Sequence, residues 1–143
     1  EDDGNPAKPA GLVDTVMPVV LADTSVWVAH FRRTNPALQA LLARDQIICH
    51  PLIILELACG TPPSPRERTL GDLQKLRRAT IATPEETLAL IAENRLFDSG
   101  CGAVDMLILA SVLLTGHAAL WTLDKPLATL ATGLGVHFNP ETI

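Results

Sequence analysis

Short apolar runs alternate with longer amphipathic segments along this chain, the rhythm of strands feeding helices. Val19–Ala22 is apolar, rich in β-branched residues and bounded by the turn-prone Asp23-Thr24-Ser25, which predicts a buried first strand. Ser25–Arg33 and Asn35–Arg44 suit helices, with Pro36 at a tolerated first-turn position. Gln46–Cys49 reads as a second strand, and Pro51 opens the helix LIILELAC, closed by Gly60. The loop-like TPPSPRER leads into a charged amphipathic helix over Glu67–Arg78, followed by a third strand over Ala79–Ala82. Thr83 with Glu86 three residues on is a capping-box signature for a helix to about Leu96. After the DSGCG turn comes a strongly apolar helix, Ala103–Leu114, stopping at Gly116. Ala119–Leu123 is the fourth predicted strand, Pro126–Leu134 a helix ended by Gly133 and Gly135, and Val136–Phe138 a fifth strand. This alternation predicts an α/β fold, a parallel sheet with helices on both faces.

Four acidic residues break the apolar segments: Asp23 after VVLA, Glu56 inside PLIILELACG, Asp105 in CGAVDMLILASVLL and Asp124 in ALWTLDK. A carboxylate brought into low dielectric costs several kcal/mol unless it is paired or bound to a cation. Asp23 and Asp124 directly follow predicted strands, and ligands of open α/β sheets sit beyond the carboxyl ends of strands. Asp105 falls in the first turn of its helix, whose N-terminus faces the same edge. Glu56 has Leu52, Ile53 and Cys59 at helical spacing, so it is expected to project from a buried or half-buried stripe.

Oxygen donors without clustered His or Cys suit Mg²⁺ or Mn²⁺ rather than zinc. Such an ion points to phosphate chemistry. Thr24, Ser25 and Thr122 lie one or two residues from these acids, where their hydroxyls can orient carboxylates or touch phosphate. Taken singly, each acid also has a structural reading. Asp23 or Asp105 can be a helix cap, and Asp124 in LDKP a turn residue.

Composition narrows the field. The 143 residues fit one domain, and the 48% apolar content suits a globular core. No apolar run approaches the ~20 residues that span a bilayer. Residues 1–16, acidic and rich in Gly and Pro, are expected to be a tag, linker or fused extension, with Met17 resembling a natural start. Without them the body carries 12 acids and 10 bases, net −2; setting the four candidate ligands aside leaves a net +2 on the rest. The acidic balance therefore does not exclude a nucleic-acid substrate. Cys49, Cys59 and Cys101 are odd in number, lack metal-type spacing and read as reduced packing residues of a cytosolic protein.

The segments VVLADTSVWVAHFR, HPLIILELACG, GCGAVDMLILASVLLTG and LWTLDKPLATLATGLGV resemble, in order and spacing, the PIN-domain ribonucleases, most closely the VapC-type toxins of toxin–antitoxin pairs. The resemblance runs from about Val19 to Val136 and implies a PIN domain over residues 17–143. It implies a five-stranded parallel sheet in the order 3-2-1-4-5. It also implies a Mg²⁺- or Mn²⁺-binding quartet of Asp23, Glu56, Asp105 and Asp124, with Thr24, Ser25 and Thr122 as the accompanying hydroxyls. The implied activity is hydrolysis of RNA, often tRNA or rRNA, to 5′-phosphate and 3′-hydroxyl ends. The implied partners are a second copy of the chain and a VapB-type antitoxin, with no membrane.

Two departures stand out. The glycine turn D98SGCG lacks the basic residue many relatives carry there, and Leu107 stands where some have His. Arg32, Arg33, Lys75, Arg77, Arg78 and Lys125 are candidates for tracking phosphates, against the reading of a solvated charged face. Trp27 and Trp121 suit core positions better than base stacking. His30, His50, His117 and His137 suit packing or surface roles, and Asp98 suits a turn. Competing functions are a structure-specific or single-stranded DNA nuclease on the same fold, and a non-catalytic module whose carboxylates capture an arginine of a partner peptide.

Overall fold

The computed structural model describes residues 18–142, so the extension expected over residues 1–16 lies outside the described residues. The elements run β1 (Val19–Ala22), α1 (Thr24–Arg32), α2 (Pro36–Ala43), β2 (Ile47–Cys49), α3 (Pro51–Cys59), α4 (Arg66–Gln74), β3 (Arg77–Arg78), α5 (Pro84–Asn94), α6 (Ala103–Thr115), β4 (Ala118–Trp121) and α7 (Lys125–Gly133), ending in a 3-10 turn at Pro140–Thr142.

The strands form one parallel sheet in the order β3-β2-β1-β4. β1 is central because it is apolar on both faces: Val20, Leu21 and Ala22 are all buried. Leu21 pairs with Ile48 on one side and with Leu120 on the other. The chain builds outward from β1 through β2 to β3, then returns to the other side of β1 as β4. Strand order therefore reverses between β1 and β4, and a crevice is expected at their carboxyl ends.

The core lies against the two faces of this sheet. Leu21, Leu38, Ile53, Leu109, Leu120 and Leu127 are almost inaccessible to solvent. Each contributes on the order of 1.5–3 kcal/mol by burial. α6 is buried over consecutive positions, Ile108 through Val112, as befits a helix packed between β4 and α5. It stops at Gly116, whose φ of 74° a side-chain-bearing residue rarely adopts. The capping box on α5 forms as expected: the Glu86 amide donates to Thr83 Oγ1 and the Thr83 amide to Glu86 Oε1.

Three expectations need correction. Among the described residues the sheet has four strands, and Val136–Phe138 makes a single parallel bridge, His137 to Leu120, at the outer edge of β4. The third strand is Arg77–Arg78 rather than Ala79–Ala82, and the preceding helix ends at Gln74. The cause is visible in the backbone: the Ala79 amide still donates to Cys49 O of β2, but the Thr80 amide donates to Thr115 Oγ1 and the Ala82 amide to Ser111 Oγ, so beyond Ala79 these amides are satisfied by α6 rather than by the sheet. β4 ends at Trp121, which places Asp124 beyond a short link, as the cap of α7.

Candidate active site

Asp23 is the junction between β1 and α1. Its amide donates to Trp121 O at 3.0 Å, joining the carboxyl ends of the two strands that flank the switch point. The side chain is only 9% exposed and caps α1, with Oδ1 accepting from the Ser25 amide at 3.0 Å. Two hydroxyls complete its shell: Ser25 Oγ donates to Oδ1 and Thr122 Oγ1 to Oδ2, each at 2.5 Å. Both hydroxyls also accept from the β4–α7 link, Ser25 Oγ from the Leu123 amide and Thr122 Oγ1 from the Asp124 amide, each at 3.0 Å. Two loops about a hundred residues apart in the chain are thus stitched together through one carboxylate. Asp124 caps α7 by accepting from the Leu127 amide at 3.1 Å, and its side chain is exposed. The capping and site readings of Asp23 and Asp124 are therefore compatible: the same geometry serves both.

Asp105 is not a cap. The N-cap of α6 is Gly102, and Asp105 stands in the first turn, half-buried. Glu56 departs from expectation, being exposed rather than set in a buried stripe. Its Oε1 accepts from Thr24 Oγ1 at 2.5 Å, which fastens α3 to the start of α1. The cleft that results, about 190 Å³, is lined by Asp23, Thr24, Ser25, Glu56, Asp105 and Asp124 over an apolar floor that includes Ile53, Ile108 and Leu127. Among the described residues no Lys, Arg or His lines it.

The electrostatics follow from that composition. Burial holds the Asp23 carboxyl above its ordinary pKa, opposed in part by its hydrogen bonds to Ser25, Thr122 and Val26. Asp105 is also raised, first by burial and then by the negative charges of Asp124, Asp23 and Glu56; a hydrogen bond from the Gly102 backbone works the other way. All three other acids thus act on Asp105. The donor set is hard, anionic and without basic counter-ions in the lining, which fits a divalent cation of the Mg²⁺ class. Among the described residues no group of three or more His, Cys, Asp or Glu side chains is drawn close enough to hold an ion as it stands. The carboxylates line one cleft without converging on one point, as like charges do.

A buried bridge behind the cleft escaped the sequence reading. His50 is 1% exposed and caps α3, its Nδ1 accepting from the Leu52 amide at 3.1 Å. Its Nε2 lies 3.0 Å from Ser111 Oγ on α6. Ser111 Oγ directs its proton to Leu107 O at 2.7 Å and accepts from the Ala82 amide, so Nε2 is the protonated nitrogen of a neutral imidazole. Burial, and secondarily Arg78, lowers the pKa of His50 and favours the same state. The bridge ties the helix of Glu56 to the helix of Asp105. The only hint in the sequence was His50 directly before Pro51, at a helix entry.

The remaining candidates disperse. Trp27 and Trp121 are core, at 3% and 2% exposure. Lys75 pairs with Asp72 and Arg77 with Asp45, away from the cleft. Asp98 is an exposed turn residue with φ 59°. The three cysteines are separate thiols, Cys49 buried and Cys59 exposed. No helix among the described residues is long and apolar enough to cross a membrane.

Comparison with known proteins supplies a family for this arrangement. The PIN-domain family model matches residues 20–132, a span containing all four acids. Two curated relatives, the proteins named Ribonuclease VapC32 of Mycobacterium tuberculosis strains CDC 1551 / Oshkosh and ATCC 25618 / H37Rv, are each 42% identical over 123 residues. The alignment covers 86% of this chain and 98% of each relative.

Proposed function

The chain belongs to the PIN-domain family, and on that footing we propose that it is a divalent-cation-dependent endoribonuclease, the toxin of a VapBC-type pair. One observation carries the reading: four carboxylates from four different segments line one cleft at the sheet's switch point, with no basic side chain of the described residues among them. The relatives' name, Ribonuclease VapC32, supports RNA as the substrate class.

Asp23, Asp105 and Asp124 would hold the principal Mg²⁺ or Mn²⁺, with Glu56 holding a second ion or the water of the first. A bound ion supplies Lewis acidity at the phosphate and acidifies nearby water. The chain's own groups do the rest. Ser25 and Thr122 keep both oxygens of Asp23 aimed, Thr24 positions Glu56, and the apolar floor excludes bulk water beneath the phosphate. In-line hydrolysis then breaks the bond from phosphorus to the 3′ oxygen, leaving 5′-phosphate and 3′-hydroxyl ends, with tRNA or rRNA as the expected target. A VapB-type antitoxin is the expected inhibitor, an arginine of which suits the anionic cleft. A homodimer in the cytoplasm is the expected working form.

The test is cleavage of matched RNA and DNA by the purified chain in millimolar Mg²⁺ or Mn²⁺, with chelator and Asp23→Asn as controls. Metal-dependent cutting of RNA, absent in Asp23→Asn, is the expected result. Cutting of DNA alone would move the chain to the DNA-nuclease reading. No cleavage of either, with no metal-induced rise in melting temperature, would leave only a binding role for the cleft.

A further inference from the structure

Glu56 lines a second hollow of about 270 Å³ as well as the carboxylate cleft. Both lie along the packed pair α1 and α3. On α1, Thr24 lines the first hollow and Val28 and Arg32, one and two turns further on, line the second. On α3, Ile53 lines the first and Glu56 both, and Gly60, the cap just past its end, lines the second. From Thr24 to Arg32 the helix rises about 12 Å, enough for the next nucleotide of a single strand.

The walls of the second hollow are apolar and partly aromatic, formed by Val28, Phe31, Leu57 and Pro62. Its size is below the ~300–1,000 Å³ of pockets for drug-sized ligands and suits one base. Among the described residues Arg32 is the one basic residue lining either hollow, and it is exposed and has no ion-pair partner there. An acidic cleft repels a polyanion except where its ion sits, so a strand held there needs a cation beside it. Arg32 is that cation.

We propose that this hollow is a nucleotide subsite, in which the RNA residue next to the scissile phosphate lays its base against Phe31 and Pro62 and its own phosphate on Arg32. The subsite deepens the ribonuclease reading and rests on it for the identity of the strand. Aromatic and apolar walls grip any base without reading its edge, so the subsite contributes affinity more than sequence choice.

The experiment compares wild type, Arg32→Ala, Arg32→Lys and Thr61→Phe, the last placing a ring in the hollow from an exposed lining position. Steady-state cleavage gives KM and kcat. Binding of a fluorescein-labelled oligouridylate 8-mer, followed by anisotropy in an Asp105→Asn background that blocks turnover, gives the salt dependence. Arg32→Ala is expected to raise KM about tenfold with kcat nearly unchanged, because Arg32 does not touch the reacting phosphate. It should also flatten the slope of log binding against log salt by about 0.7, the mark of one lost phosphate contact on a single strand. Arg32→Lys should restore the slope, and Thr61→Phe should raise KM with Arg32 intact. If wild type cuts RNA while KM and slope are unmoved in Arg32→Ala and Thr61→Phe, the subsite is wrong and the ribonuclease stands. Loss of binding to a protein partner in Thr61→Phe, with KM for RNA unchanged, likewise overturns it and assigns the hollow to protein. If wild type cuts no RNA, the activity reading fails separately, and the salt slope still decides the subsite.

Discussion

Replacing Asp105 by Asn should make the metal-free protein more stable while abolishing its activity. The substitution keeps the side-chain shape and removes one negative charge from a cleft that holds three others. Burial is the first cause of the raised Asp105 pKa, with Asp124, Asp23 and Glu56 adding to it. Solvent reaches this half-buried side chain, so each repulsion is screened to roughly 0.3–0.5 kcal/mol, or about 1 kcal/mol for the three. In a domain of this size that is a rise of about 4 °C in Tm. The sign with pH follows from the direction of the shift. A carboxyl whose folded pKa lies above its unfolded value penalises the fold while ionised, and the penalty fades as pH falls through the folded pKa. Scanning calorimetry in chelator should therefore show Asp105→Asn above wild type at pH 7.5, with the gap closing in mild acid. Millimolar Mg²⁺ should raise wild type more than the variant, because an ion binds and stabilises the folded form by mass action. A variant that melts at or below wild type in chelator at pH 7.5, or a gap that widens in acid, would refute the claim that these four acids strain one another.

Other perturbations probe the shell around the cleft. Thr122→Val removes the donor to Asp23 Oδ2 and leaves the Asp124 amide unpaired; denaturant melts should show a loss of about 1–3 kcal/mol, and cleavage assays a fall of about 10–100-fold, with Thr122→Ser close to wild type. His50→Asn keeps a capping oxygen but breaks the bridge to Ser111. Because the folded pKa of His50 is lowered, wild type loses stability as pH falls below about 6.5 through the folded value, and urea melts across that window should show a shallower loss in the variant. Thr83→Ala, on a cap remote from the cleft, should cost about 1 kcal/mol in urea and leave cleavage unchanged.

The four carboxylates were legible because each interrupts an apolar segment, and the α/β class because strand and helix periods alternate along the chain. The capping box was legible for the same reason: its partners lie three residues apart. β3 was not, since Arg77 and Arg78 are exposed and pair with β2 through backbone alone, leaving no apolar pattern to read. Glu56 was assigned to its helix correctly but to a buried stripe wrongly, because periodicity orders the faces of a helix without saying which neighbour covers each. His50 and Ser111 carry no periodic signal of their joint role, which depends on a contact 61 residues apart. Local chemistry thus sets the elements, the caps and the residues able to bind a cation, since those depend on near neighbours in the chain. Whether four acids line one cleft, whether Ser25 and Thr122 both grip Asp23, and whether Arg32 lines the same hollow as Glu56 depend on packing. Those contacts span up to 99 residues and form only when burying the apolar faces of β1, β4 and α6 brings the loops together.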